Sequence, residues 1–228
     1  MSHTVLDDSV APLGKLPVPR LSLRIFGLAV MAGAAVFALG WYLTSVPVVN
    51  LGVGDNMSDS SLHASWLHGG VVVMIRHAER CDRSINPCLG SADGITVKGS
   101  HAASRVGTGL QRLGLHEAQL IASPATRTRQ TANLVAGRTV PTQEWVSDCD
   151  KGFTDAVIRH KKPQQNLVLI THSGCIDQFE RSMGVRAGMR SSDYAEAVFV
   201  RIDGLHPPRI IGSLDAKQWN DLGTEAWN

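Results

Sequence analysis

Three short stretches hold the residues whose types and spacing could do chemistry. Arg76-His77 follows the apolar run "VVVMI" and precedes Glu79 and Arg80. Arg127 stands inside "SPATRTRQTA", residues 123–132. His172 closes "NLVLITH", residues 166–172. Guanidinium groups are planar, permanently charged forks that match the oxygens of a phosphate. A neutral imidazole can attack phosphorus, and neighbouring cations lower its pKa and keep it neutral. A phosphoryl group set among Arg76, Arg80, Arg127 and His172 would have its developing charge stabilised, with His77 as the in-line nucleophile. Water would then hydrolyse the phosphohistidine. Arginine and histidine take the place that Mg²⁺ holds elsewhere, so neither a metal nor another cofactor is expected. The leaving alcohol needs a proton, for which Glu79, Asp148 and Asp150 are the candidate donors.

Each residue alone has an ordinary explanation. Arg159-His160 is a second Arg-His pair and reads as a solvated helix end, while Arg129 reads as a helix-face charge. His63, His68, His101, His116 and His206 have no partner motif. The ordered set of three segments is what points to a site.

Those segments need elements that bring them together. "VVVMI", 71–75, is β-branched without alternation, as suits a strand buried on both faces. Residues 118–123 and 166–172 read as further strands. Residues 96–114 carry apolar positions at helical spacing, with Thr96 placed to cap the start and Gly114 the stop. Residues 124–137 read as a helix with Pro124 in its first turn and Gly137 at its end. Gly152–His160 is a weaker helix, and Asp59 could cap a short one over 60–68. "AEAVFVRID" and "RIIGSLD" read as late strands joined by a hairpin. Strands alternating with helices predict an α/β domain with a mainly parallel sheet. Ligands of such sheets bind beyond the carboxyl ends of the strands, where all three segments lie.

The chain has 228 residues, enough for one domain and an appendage. A net charge of +2 and 5% aromatic residues give no footprint for a nucleic-acid partner. Between Arg24 and Asp55 there is no charge. As a helix, residues 25–43 would span about 28 Å, close to the hydrocarbon core of a bilayer. Lys15, Arg20 and Arg24 flank one end, and Trp41 and Tyr42 the other. The positive-inside rule puts the N-terminus in the cytoplasm and the rest outside. The expected organisation is a cytoplasmic tail over 1–24, a transmembrane signal-anchor over 25–45, a linker over 46–58 and an exported domain over 59–228. Ala38-Leu39-Gly40 offers small residues at cleavage spacing, which would instead release a soluble form. The long leader with Asp7 and Asp8 favours the anchor.

An exported domain with four cysteines, Cys81, Cys88, Cys149 and Cys175, suggests disulfides. Three pairings are possible. Cys81 with Cys88 would close a short loop and leave Cys149 to Cys175. That last bridge would draw Asp148 and Asp150 toward His172.

These segments resemble the histidine phosphatase superfamily, with its phosphoglycerate-mutase-like fold. "RHAER" is similar to the Arg-His-Gly signature, with Ala78 where glycine is usual. "SPATRTRQTA" resembles "SPLxRAxQTA", which implies that Arg127 is the second phosphate-binding arginine. "LVLITHSG" resembles the strand that delivers the second histidine, and "GITVKG" the opening of the first helix. Arg80 is similar to the extra arginine of the acid-phosphatase branch. That branch's His-Asp pair has no clear counterpart here, which leaves the proton donor unassigned. The resemblance covers roughly residues 70–180 and implies a three-layer architecture. "VVVMIRHAERCDRSINPCLGSADGITVKG" further resembles the lipopolysaccharide core heptose(II)-phosphate phosphatase family. This implies a periplasmic enzyme held at the inner membrane, with a phosphorylated sugar of lipopolysaccharide as substrate. Two other readings compete: a histidine phosphatase acting on other periplasmic esters or phosphoproteins, and an inactive anchored module that binds anions.

Overall fold

The computed structural model of the chain describes residues 23–43, 48–190 and 192–220. It forms two compact units, Met1–Thr44 and Ser45–Asn228. The first unit contains helix α1, Leu23–Leu43. The expected cytoplasmic tail lies outside the described residues except at its last two positions. The side chains from Ile25 to Phe37 are described and exposed; Trp41 and Tyr42, expected at a membrane interface, are outside that set. No helix among the described residues is long and apolar enough to cross a membrane.

The second unit is built around a five-stranded sheet of order β2-β3-β1-β4-β5: β1 Val71–Arg76, β2 Gln119–Ala122, β3 Leu167–Thr171, β4 Ala197–Arg201 and β5 Arg209–Leu214. The helices are α2 Asn56–Asp59, α3 Leu62–Leu67, α4 Val97–Leu113, α5 Thr126–Ala136, α6 Phe153–His160 and α7 Ser173–Ser182. The alternation of β1 explains the layers. Val71, Val73 and Ile75 enter one core with Leu62, Val106 and Ala132 from α3, α4 and α5. Val72 and Met74 enter the other with Val157 and Phe179 from α6 and α7. Helices therefore cover both faces.

The sheet is mixed rather than mainly parallel. β1 and β2 pair with β3 in parallel, but β4 runs antiparallel to both β1 and β5. β4 and β5 are joined by a short connection, which reverses the chain between them. β4 starts beside Arg76, whose N–H donates to Glu196 O (3.1 Å), so it must run back along β1.

Within the stretch expected as a linker, 46–58, Leu51 and Met57 are buried. Leu51 is 1% exposed and exchanges backbone hydrogen bonds with the β5 edge: its N–H donates to Ser213 O, and Ser213 N–H to Val49 O, both 2.8 Å. Asp59 ends α2 and does not cap α3. Helix α4 has the expected ends: Thr96 Oγ accepts from Gly99 N–H, and Gly114 is left-handed at φ 91°. α5 begins two residues after Pro124, with Ala125 at its N-cap. α7 went unanticipated, its ten residues holding Gly174 and a bridged cysteine.

Both disulfides are formed, Cys81–Cys88 and Cys149–Cys175. The second ties the 144–147 turn to the first turn of α7. On the chain-entropy view, losing this larger loop costs about 3–4 kcal/mol. Urea unfolding of Cys149→Ser/Cys175→Ser should show that loss, against about 2–3 kcal/mol for Cys81→Ser/Cys88→Ser.

Candidate active site

Adjacent strands in the sheet bring together segments far apart in sequence. β2, β3 and β1 end side by side, with Ala122, Ile170 and Ile75 in register. Ser123 N–H donates to Ile170 O (3.0 Å) and His77 N–H to Thr171 O (3.0 Å). Ser123, His77 and His172 therefore leave the sheet at one edge. The rings of His77 and His172 meet edge to face, 5.5 Å between centroids.

Helix α5 is fastened to this edge through its motif residues. Thr131 Oγ accepts from Ala78 N–H (2.9 Å) and donates to Arg127 O (2.7 Å). Gln130 Oε1 accepts from Ile95 N–H (2.9 Å), and Thr128 Oγ donates to Ser123 O (2.7 Å). Ala78 is fully buried in the core, so its methyl group packs inward. A β-carbon at Gly99 would lie 2.9 Å from Glu79 N, so glycine lets α4 approach the loop after His77.

His77 is 4% exposed. Its Nδ1 lies 2.9 Å from Ala78 O. A carbonyl only accepts, so Nδ1 carries the proton and Nε2 keeps a lone pair. Burial lowers the pKa of His77 to about 3, with Arg127, His172 and Arg76 acting the same way against the Ala78 bond. Burial, then Arg127 and Arg80, lower that of His172 to about 4. Its Nδ1 accepts from Arg127 Nη2 (3.3 Å), and its Nε2 lies 2.8 Å from Ser123 Oγ.

Both imidazoles are thus buried uncharged, which fixes the sign of a pH effect. The unfolded chain protonates them near pH 6.5, the folded chain only near 3 and 4. Between these values the unfolded state binds more protons, so stability falls as pH falls below about 6.5. The melting temperature should drop from pH 6.5 to 4, and less steeply in His77→Ala. Equal slopes would mean that folding does not depress the His77 pKa.

The arginines differ in how they are held. The Arg76 guanidinium packs 3.9 Å from the Tyr194 ring centre, and its Nη1 donates to Ser192 O (2.6 Å). Tyr194 also lies 5.7 Å from the His77 ring. Arg80 is paired to Asp82, Nε to Oδ1 at 2.8 Å, while its charge still reaches Arg127 and His172. Nε of Arg76 and of Arg127 are buried donors without a partner among the described residues. Such donors are costly unless something accepts from them, and a phosphate oxygen fits.

The proposed proton donors are not gathered here. The Glu79 carboxylate accepts from Thr96 Oγ (2.7 Å), Asn86 Nδ2 (2.9 Å) and Ser84 Oγ (3.2 Å). These bonds, Thr96's first, lower its pKa, so Glu79 is an ionised brace for its loop. Asp150 Oδ1 accepts from Gly152 N–H (2.7 Å), and Asp148 is exposed. The Cys149–Cys175 bridge holds this segment beside α7. No hydrogen bond or ion pair among the described residues joins Asp148 or Asp150 to either histidine. The sequence reading assigned no role to Ser123 or Tyr194. Ser123 had a signal, standing at a strand end within "SPATR"; a lone tyrosine before β4 had none.

No protein-family model matches the chain. Curated relatives do. Proteins named lipopolysaccharide core heptose(II)-phosphate phosphatase, from Salmonella paratyphi B and Salmonella typhimurium, are each 30% identical over 185 residues, covering 77% of this chain and 86% of theirs. One from Shigella flexneri is 29% identical, covering 78% and 85%. Among solved structures, a SixA phosphohistidine phosphatase candidate from Agrobacterium tumefaciens is similar at a TM-score of 0.48 and 18% identity, over 64% of this chain and 97% of that chain. That likeness is too distant to bear on function. The sequence relatives are enough: the chain is a phosphatase and belongs to the lipopolysaccharide core heptose(II)-phosphate phosphatase family.

Proposed function

We propose that the chain hydrolyses phosphomonoesters through a phosphohistidine on His77, and that its substrate is a phosphorylated heptose of the lipopolysaccharide core. One observation carries the mechanism. His77 is a buried, neutral imidazole with its Nδ1 proton committed to Ala78 O, beside two arginines whose buried Nε–H groups have no acceptor among the described residues. Nε2 attacks phosphorus and the ester P–O bond breaks. The alcohol leaves with a proton drawn from solvent. Water then attacks the phosphohistidine, the P–N bond breaks and inorganic phosphate departs. Arg76 and Arg127 hold the equatorial oxygens throughout, which is the main stabilisation phosphoryl transfer needs. Arg80 adds charge at the rim. With Nδ1 accepting from Arg127, His172 carries its proton on Nε2 and donates it to Ser123 Oγ, whose own O–H is free to donate to the transferring group.

The substrate reading rests on the named relatives. The location reading rests on the sequence: nineteen uncharged residues, 25–43, follow a cationic flank. On that flank and that uncharged run we assign residues 25–45 as an anchor in the inner membrane, with the chain after them in the periplasm, where that substrate lies. Purified lipopolysaccharide and soluble sugar phosphates, offered to wild type in EDTA, test this. Phosphate release from lipopolysaccharide at higher kcat/KM, and none with His77→Ala, is the expected result. Faster turnover of the soluble esters would move the substrate to small periplasmic phosphates.

A further inference from the structure

The loop that leads into β4, residues 192–196, closes on Arg76 from several sides. Ala195 N–H donates to Arg76 O (3.2 Å), and Arg76 N–H donates to Glu196 O (3.1 Å). The side chain is taken up as well. Its Nη1 donates to Ser192 O (2.6 Å), and its guanidinium carbon stands 3.9 Å from the centre of the Tyr194 ring. The loop is also tied to itself, by Glu196 N–H to Asp193 O (3.1 Å) and by Asp193 N–H to the Glu196 carboxylate (2.6 Å). Its backbone carries a strained residue. Ala195, fully buried, is left-handed at φ 59°, a conformation that costs free energy for a residue with a β-carbon. Such strain persists only where the surroundings over-determine it, and it gathers at functional sites. Here it turns the chain between Tyr194, laid on Arg76, and Ala197, the first residue of β4, in register with Ile75.

We propose that Tyr194 is a positioning residue for phosphoryl transfer: the face of its ring aims the Arg76 fork at the phosphoryl group and sets it relative to His77. This rests on the reading of Arg76 as a residue that holds the phosphoryl oxygens, and adds how its fork is kept in place. The choice of partner has a physical reason. Arg80 is held by a carboxylate, and Asp82 occupies its Nε–H and one terminal nitrogen. No carboxylate pairs with Arg76 among the described residues. A carboxylate there would offset the charge and take the N–H groups that phosphate oxygens need. An aromatic face attracts the cation across its plane and takes none of the in-plane N–H groups. Only Nη1 is committed to the loop, at Ser192 O, while the buried Nε–H has no partner among the described residues and stays open to a ligand. The same ring lies 5.7 Å from the His77 ring, so one side chain bears on both the fork and the nucleophile. A group displaced by about 1 Å from its reactive position can lose on the order of 10²-fold in rate.

A double-mutant cycle tests this, on the full chain in detergent and EDTA, with phenyl phosphate as substrate and orthovanadate as the mimic of the transferring group. Tyr194→Leu should lower kcat by roughly 10- to 100-fold, with a smaller change in KM, and weaken orthovanadate inhibition in parallel. Tyr194→Phe keeps the ring face and should restore kcat to within about threefold of wild type. In an Arg76→Ala background, Tyr194→Leu should cost less than about threefold, because no fork is left to aim. A tyrosine that only supports the fold would cost the same in both backgrounds. The melting temperature reports that each variant is folded, and Tyr194→Met, which also lacks a ring face, repeats the measurement if leucine is not tolerated. A Tyr194→Leu rate within about threefold of wild type, or an equal loss in both backgrounds, overturns the proposal. So does a Tyr194→Phe rate as low as that of Tyr194→Leu, which would move the role to the hydroxyl. If Arg76→Ala alone turns over phenyl phosphate at the wild-type rate, the reading of Arg76 falls first, and the proposal with it.

Discussion

His77→Ala should lower kcat on every phosphomonoester by about 10⁴-fold or more, the scale seen when a covalent nucleophile is removed. The backbone around it should survive the change. His77 N–H is held by Thr171 O, Ala78 N–H by Thr131 Oγ and Arg76 N–H by Glu196 O, and none of these bonds uses the imidazole. The loss is therefore chemical rather than structural. Acid-quench trapping with ³²P-labelled substrate separates the outcomes. Wild type should retain acid-labile, base-stable label in EDTA, and His77→Ala none. Equal label in both proteins would move the nucleophile to His172, 5.5 Å away between ring centres. Phosphate binding with neither label nor turnover would favour an anion-binding module.

Much of this site was legible because its chemistry is local in sequence. Thr96 and Gly114 announce the ends of α4 by side-chain capping and a left-handed turn, both decided within a few residues. "VVVMI" and "NLVLI" announce strands covered on both faces, and each ends on a histidine or an Arg-His pair. What was not legible depends on partners distant in the chain. Glu79 looked like an acid because nothing local shows that Thr96, Asn86 and Ser84 will surround its carboxylate. The direction of β4 is fixed by where the chain returns to Arg76, not by β4's own residues. Leu51 lies among Val48, Val49 and Val53 in a short run broken by Asn50, Gly52 and Gly54, too short to show a period that would mark Leu51 as the buried one at the β5 edge. Tyr194 gains its place only when the start of β4 is laid beside Arg76 and His77.

Arg127→Lys separates charge from geometry, and its expected effect is nearly as large. Lysine keeps one positive charge at this position but replaces a rigid fork with a compact, flexible point charge. Two donors are lost in defined places: Nη2, which faces His172 Nδ1 at 3.3 Å, and the buried Nε that no described residue satisfies. Removing one preorganised donor to a developing oxyanion typically costs about 10²–10³-fold in kcat. Arg127→Lys should fall in that range, and Arg127→Ala at or beyond its upper end. Arg129, two residues along α5, is exposed and turned to Thr126, so Arg129→Ala should change kcat by less than about threefold. A near-wild-type rate in Arg127→Lys would mean that charge alone suffices there. In that case Arg76, locked by Tyr194 and Ser192, would be the only fork the transition state needs.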